Sequence, residues 1–422
     1  MTRNSDTTSS KHPKLRFPGF SSSWVEEKLS YFIYALDAGV SVNSEDRPAT
    51  INEKGVLKTS CVSSGKFRSQ ENKVVIKENE ISRLRVPVSQ ETIIISRMNT
   101  PQLVGANAYI YKDSPNLFLP DRLWAAKVRE EKSAQYLGQY LSSKKGRHDL
   151  ASRATGTSGS MKNISKNDVL SIKFAVPEYS EQQKIASFLS AVDSWLDNLR
   201  SQKSSLETDK KSIMQKIFSQ EIRLKDKNGN YYQDWEEYEL GEVFYSEKGS
   251  GLSKELLNQE GINECILYGE LYTRYKEVIT KVESKTNIEE GLKSKPNDLL
   301  IPSSTTTSGI DLANVTALNK SGVLLGGDIT VMRSKLKTNN IFFAYYLSNF
   351  KKKAIAKYAQ GSTIIHLYYN HFKKILIDLP SLNEQKHISD YMISIDKIIE
   401  SVDLKIVLTT KWKKALIQRM FV

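Results

Sequence analysis

Two stretches of this 422-residue chain carry side chains suited to hydrogen bonding rather than to bond making. Arg97, Asn99 and Thr100 follow the apolar run TIIIS. Ser303, Ser304, Thr305, Thr306 and Thr307 follow DLLIP, 206 residues further on. Downstream of each comes a basic cluster leading into a glycine-containing loop: Lys144, Lys145, Arg147 and Arg153 at RATGTSGS, and Lys351, Lys352, Lys353 and Lys357 before QGST. Arginine, asparagine, serine and threonine offer the donors and acceptors that read base edges, whereas phosphates need only positive charge or amide donors. A solvated helix face accounts for the basic clusters equally well, and a structural turn accounts for the serine–threonine run.

Groups that make or break bonds are not apparent. The sequence has no GxxxxGK[ST] phosphate loop, no [DN]PP[YF] motif and no convincing glycine pattern for a cofactor; GSG at 249–251 is a lone match that reads as a loop. His366 and His371 stand five apart, on different faces of any helix, so core or surface roles outweigh a metal site. Two cysteines, Cys61 and Cys265, are too few for a disulfide framework or a cysteine-rich zinc site. No metal and no catalytic residue is expected.

The elements that must position these groups come in duplicate. PEYSEQQKIASFLSAVDSWLD and PSLNEQKHISDYMISIDKIIE align without a gap at an offset of 203 residues, from Pro177 and Pro380 to Phe218 and Phe421. Identical pairs include Glu181/Glu384, Gln182/Gln385, Asp193/Asp396, Lys210/Lys413 and Phe218/Phe421. Ser180 and Asn383 are placed as N-caps, Gln183 completes a capping box, and Glu181 and Glu384 suit the positive end of the helix dipole. Ile185, Leu189, Val192, Leu196, Leu199 and Leu206 step alternately by four and three, broken by Lys203; Ile388, Met392, Ile395, Ile399, Val402 and Ile406 repeat the pattern. That 3.5-residue period predicts a coiled-coil seam, roughly 50 Å long at about 1.5 Å per residue. A heptad inserted after Leu206 and matched after Thr409 keeps the stripe in phase.

The repeat extends upstream with loops of different length. Trp24 to Leu29 matches Trp235 to Leu240, PDRLWAAK matches GDITVMRS, QYLGQYLSS matches FFAYYLSNF, and VLSIKFAVP matches FKKILIDLP. Each half therefore reads as an α+β domain followed by a long helix. The boundaries follow: a flexible tail at 1–13, domains at 14–180 and 222–380, helices at 181–221 and 381–422. The net charge of +13 is uneven, with 27 basic against 18 acidic side chains in residues 1–180, and an excess of that sign favours a polyanion. No apolar run approaches the ~20 residues of a membrane span, and the first residues have no signal-peptide core; the chain reads as cytoplasmic, with no membrane partner.

Taken in order, KLRFPGFSSSWVEEKL, ISRMNTPQLVG, LYGELYTRY, IPSSTTTSGIDLANV, LLGGDI and the paired proline-to-helix junctions resemble the specificity subunits of type I restriction-modification systems. The resemblance implies two target recognition domains, each contacting one half of a bipartite double-stranded DNA site, held apart by an antiparallel helix pair. It also implies two methyltransferase subunits and further restriction/translocase subunits as partners. S-adenosylmethionine, ATP and Mg2+ are expected on those partners, with none bound by this chain. The competing readings are a stand-alone DNA-modifying enzyme with fused recognition domains, and a coiled-coil scaffold that does not bind DNA.

Overall fold

The fold is α+β, duplicated. The computed structural model describes residues 12–156 and 160–421; the expected tail up to residue 11, and residues 157–159 of the RATGTSGS loop, lie outside the described residues. Two compact units result, one running to Arg200 and resuming at Leu404, the other Ser201–Asp403.

In the first unit an antiparallel sheet runs in the order Ile33–Ala38, Leu123–Val128, Thr92–Ser96, Asn107–Tyr109. A second sheet, of Asn72–Val75, Lys54–Leu57, Ser114–Phe118 and Pro87–Val88, covers its far side. The uninterrupted apolar run TIIIS is explained by this layering. Side chains alternate across a strand, so Ile93 and Ile95 enter the core beside the helix Ala134–Ser142, and Ile94 enters the core under the second sheet.

The second unit repeats the plan: Phe244–Lys248, Ile329–Ser334, Asp298–Pro302 and Thr316–Leu318 in the same order, with Val278–Ile279 added at the edge. Leu299 and Ile301 enter one core and Leu300 the other. A small outer strand pair also recurs in one register, Val25 opposite Val176 and Glu236 opposite Leu379, which are equivalent positions of the repeat.

The long helices span Tyr179–Phe218 and Leu382–Met420. Both begin one residue earlier than the expected caps, and Ser180 and Asn383 lie within the first turn. Gln182 N–H donates to Glu178 O at 3.0 Å and Gln385 N–H to Ser381 O at 2.9 Å, so the first helical bonds are taken by Glu178 and Ser381. Ser180 Oγ turns to Glu178 instead, at 2.7 Å. The expected capping box through Gln183 does not form at that register.

Each unit closes its core with the start of one long helix and the end of the other. In the first, Ile185 and Leu189 pack with Leu416, Met420 and Phe421; in the second, Ile388 and Met392 pack with Met214, Ile217 and Phe218. Phe421 lies 5.4 Å from the Tyr136 ring and Phe218 5.9 Å from the Phe342 ring, each ring standing three residues after its helix cap, Ser133 or Asn339.

Along the seam Val192, Leu196, Leu199, Ile399 and Val402 are buried, and Leu206, Ile395 and Ile406 are half-buried. A carboxylate at Leu196 would take the place of a leucine only 3% exposed. Leu196→Asp is expected to cost about 3 kcal/mol, less where the carboxylate reaches water. Thermal melting checks it, and an unchanged midpoint refutes a packed seam at this position.

Candidate nucleic-acid interface

The lysines that interrupt the seam are its electrostatic register. Lys413 Nζ donates to Asp193 Oδ2 at 2.6 Å in the first unit; Lys210 Nζ donates to Asp396 Oδ1 at 2.6 Å in the second. These are one pair of repeat positions with donor and acceptor exchanged between helices. Lys203 adds a third pair with Asp403, at 2.6 Å. Within the second unit, moving from residue 203 to 210 on one helix takes the partner from 403 to 396 on the other, an antiparallel register without a slip. Each aspartate also receives its own globular domain: Gln139 Nε2 reaches Asp193 at 3.4 Å, and the Tyr345 hydroxyl donates to Asp396. Burial pushes the Tyr345 phenol far above its ordinary pKa, with the Asp396 bond adding to the shift, so it stays a donor. The duplicated Asp193/Asp396 and Lys210/Lys413 identities were the visible signal for this network.

The repeated Glu-Gln pair is internal mortar. Gln182 Nε2 donates to Pro177 O at 2.9 Å while its Oε1 accepts the Ser133 N–H at 3.1 Å; Gln385 does the same between Pro380 O, at 2.8 Å, and Asn339 N–H, at 2.9 Å. Ser133 and Asn339 cap the first helix that packs on each sheet, so one glutamine fixes that helix to the long one. Glu181, fully buried, is held by Arg16 through two bonds of 2.8 and 2.7 Å and by Trp24 Nε1 at 3.2 Å. Glu384 is buried as well, but its Oε2 has no hydrogen-bond partner among the described residues. The arginine nearby, Arg223, is engaged by Asp234 at 2.8 Å and Tyr232 O at 2.6 Å. Burial accordingly raises the Glu384 pKa above 4.5, against a smaller lowering by Trp235 and Arg223.

The hydrogen-bonding residues lie at one end of each central sheet. In the first unit Met98–Asn99 pairs with Lys162–Asn163, and in the second Ser304–Thr305 pairs with Ile365–His366. Each two-residue ribbon joins the strand end to the segment after a glycine-containing loop, bringing together groups separated by about 60 residues. In the first, Thr100 is exposed, while Asn99 is spent locally on Ser96 Oγ at 3.2 Å and Thr100 N–H at 2.9 Å. Arg97 stacks 5.8 Å over the Trp124 ring and keeps a buried Nε that has no hydrogen-bond partner among the described residues. Arg147 approaches the same corner, donating to Gln102 O at 3.2 Å; burial lowers its pKa, and its Nη1 has no hydrogen-bond partner among the described residues. Arg153 is exposed and holds Ser171 Oγ at 2.8 Å. Lys144 and Lys145 are exposed beside a cleft of about 420 Å³ that His148, Ile417 and Phe421 also line.

In the second unit the serine–threonine run divides. Ser303, Ser304 and Thr305 are buried and paired: Ser303 Oγ with Thr330 Oγ1 at 2.8 Å, Ser304 Oγ with Asp328 at 2.9 Å, and Thr305 Oγ1 with Thr307 at 2.8 Å. They belong to the fold, because a hydroxyl buried at a strand end must spend its bond inside. Thr306 and Thr307 are exposed, with Thr307 held by Asp311 at 2.6 Å. Lys351 reaches Asp378 at 3.3 Å; Lys352 reaches Asn314 at 2.6 Å, and burial lowers its pKa. Lys353 and Lys357 face solvent. The ribbon also carries residues that spacing did not reveal. The His366 ring stacks at 5.5 Å on exposed Tyr368, which meets His371 edge-on at 5.6 Å, and the histidine's partner strand lies some sixty residues away.

Among the described residues no group of three or more His, Cys, Asp or Glu side chains is placed to hold a metal, and no helix is long and apolar enough to cross a membrane.

Comparison with known proteins agrees with this duplicated plan. A Methanocaldococcus jannaschii protein named for the specificity subunit of the type I restriction enzyme MjaX is 25% identical over 341 residues, covering 77% of this chain and 76% of its own. The crystal structure of a type I restriction-modification S subunit from M. genitalium superimposes with a TM-score of 0.59 at 16% identity, covering 98% of this chain and 99% of that one. A chain from a structure concerned with complex assembly and conformational transition of the type I system gives 0.56 at 16% identity, covering 95% and 98%. The family model of the type I restriction modification DNA specificity domain matches residues 44–208 and again 232–409, one match in each repeat, and the chain belongs to that family.

Proposed function

We propose that the two globular domains, 14–180 and 222–380, each read one half of an asymmetric bipartite DNA site, and that the helices at 181–221 and 381–422 set the spacing between the readings and dock two methyltransferase subunits. One observation carries the reading. The same sheet, ribbon and helix junction occur twice, yet the residues at the ribbon differ, exposed Thr100 with the partly buried Arg97 and Arg147 in one unit, exposed Thr306, Thr307 and Tyr368 in the other. A shared frame with different recognition residues is what two unlike half-sites require. The excess of basic side chains in residues 1–180 adds affinity that does not depend on sequence.

Catalysis resides in the partners. The methyltransferase subunits supply S-adenosylmethionine chemistry, and restriction/translocase subunits supply the ATP- and Mg2+-dependent steps. This chain contributes the address and works in the cytoplasm beside the chromosome.

The test is an exchange of domains. Replacing residues 14–180 by the matching domain of a relative, in cells that express the partner subunits, is expected to change one half of the methylated sequence and leave the other half intact, as read by methylome sequencing. The donor domain must offer an aromatic pair equivalent to Tyr136 and Tyr140 to receive Phe421. A change in both halves, or in neither, overturns independent reading.

A further inference from the structure

The two units share an outer framework that is tied shut in the first and open in the second. In the first, the chain leaving the strand Ile33–Ala38 turns through Gly39, where a Cβ would lie 1.6 Å from Leu119 O, and Val40 N–H donates to that oxygen at 3.1 Å. In the second, the chain leaving Phe244–Lys248 turns through Gly249, where a Cβ would lie 2.0 Å from Gly326 O, and Ser250 N–H donates to Leu325 O at 3.0 Å. Further along, Arg97 N–H donates to Arg122 O at 3.0 Å and Ser303 N–H to Asp328 O at 2.7 Å. A short helix faces each turn with a buried glutamate held by an arginine, Glu80 with Arg83 at 2.6 Å and Glu270 with Arg274 at 2.7 Å.

Aligned on these bonds, Ser41 corresponds to Gly251 and Asp121 to Gly327. In the first unit Ser41 Oγ donates to Asp121, and Asn43 reaches Glu80 at 2.7 Å, so turn, sheet and short helix are laced together. In the second unit both partners of the Ser41–Asp121 bond are replaced by glycine. A Cβ added at Gly251 would meet nothing within 4 Å, and one at Gly327 only Gly251 N at 3.9 Å. A cleft of about 950 Å³ occupies this place.

Its chemistry fits a nucleic acid. Lys248, Lys254 and Arg274 line it together with Glu255, Glu270 and Asp328, with the Lys248 side chain 68% exposed and that of Arg274 48%. Tyr268 offers an exposed ring. Asp328, 3.8 Å from Lys248, accepts from Ser304 Oγ, which joins the cleft to the ribbon described above. Cations suit phosphates, a ring suits a base face, and a carboxylate accepts from the exocyclic amine of cytosine. Resting on the DNA reading proposed above, we propose that this cleft is a contact site for the DNA of the second half-site, one that the first domain lacks because Ser41 and Asp121 close it.

The experiment uses the full chain assembled with its methyltransferase subunits, and duplexes carrying both half-sites or either half scrambled. Two variants are compared, Lys248→Ala with Lys254→Ala, and Gly327→Asp, which restores the carboxylate of the first unit. For the lysine pair, affinity is expected to fall at least tenfold, roughly, and the slope of log K against log salt to become shallower by about two. Gly327→Asp loses discrimination against a scrambled second half-site and keeps it against a scrambled first, whereas the lysine pair weakens binding to every duplex by about the same factor. The lysine pair lies on the surface and sustains the test where Gly327→Asp fails to fold. Salt-sensitive binding by the unaltered assembly that both changes leave as it was overturns the cleft alone. Absence of such binding in the unaltered assembly overturns the DNA reading, and this inference with it.

Discussion

A heptad added to both long helices, after Leu206 and after Ile399, is expected to widen the gap between the two methylated half-sites by roughly three base pairs while every recognised base is kept. Seven residues lengthen a helix by about 10 Å, and base pairs rise about 3.4 Å each. The seam repeats at 3.5 residues, so a whole heptad returns each apolar side chain to its face. The point of insertion matters. An insertion after Thr409, the repeat equivalent of Leu206, lies opposite residue 197 in the antiparallel register, and it would slide Lys203 away from Asp403. After Ile399 the added turns face each other, and the pairs at Asp193, Lys203 and Lys210 all survive. Methylome sequencing reads the outcome. Altered bases at an unchanged gap would show that the helices take part in reading, and the ruler would be wrong.

Glu181 and Glu384 stand at the same place in the repeat, and neutralising them is expected to act with opposite sign. Glu181→Gln removes the charge that holds Arg16, whose side chain is only 14% exposed, and costs about 3 kcal/mol because the guanidinium stays behind unpaired. Glu384→Gln instead removes a carboxylate that burial already disfavours. Its pKa is raised in the folded state, so the folded chain holds that proton more tightly than the unfolded one. Glu384 therefore weighs least on stability below pH 4.5, and stability is lost as pH rises through the raised value. The glutamine variant should melt higher than the unaltered chain at neutral pH and converge with it near pH 4.5. A lower midpoint for Glu384→Gln at neutral pH would mean that the carboxylate is paired after all.

What could be read in the sequence had a period or a copy. The seam from Ile185 to Leu206 and its echo from Ile388 to Ile406 follow from a 3.5-residue step, and the central strands follow from apolar runs that occur twice. The sheet containing Lys54–Leu57 and Asn72–Val75 was not legible, because strands of two to five residues with mixed faces are too short to show alternation. Ser303, Ser304 and Thr305 gave no sign of their burial for another reason. Their hydroxyls are satisfied by Thr330 and Asp328 and within their own turn, and nothing in the tripeptide announces those partners. The open cleft was invisible as well, since Gly251 and Gly327 acquire meaning only beside Ser41 and Asp121. Helix caps failed by a residue or two, where several polar side chains compete for the same amides.

The crossed helix ends have a temporal consequence. The second unit, Ser201–Asp403, is one unbroken stretch, whereas the first is assembled from the two extremities of the chain. Leu15 N–H donates to Arg419 O at 2.9 Å, and Phe421 fills the slot between Tyr136 and Tyr140. On a ribosome adding about 5–20 residues per second, the intervening two hundred or so residues take roughly 10–40 s to appear. The part made first must therefore wait with its aromatic slot unfilled while the rest of the chain is synthesised. A chain truncated before Leu416 keeps every residue of the second unit and lacks those that close the first.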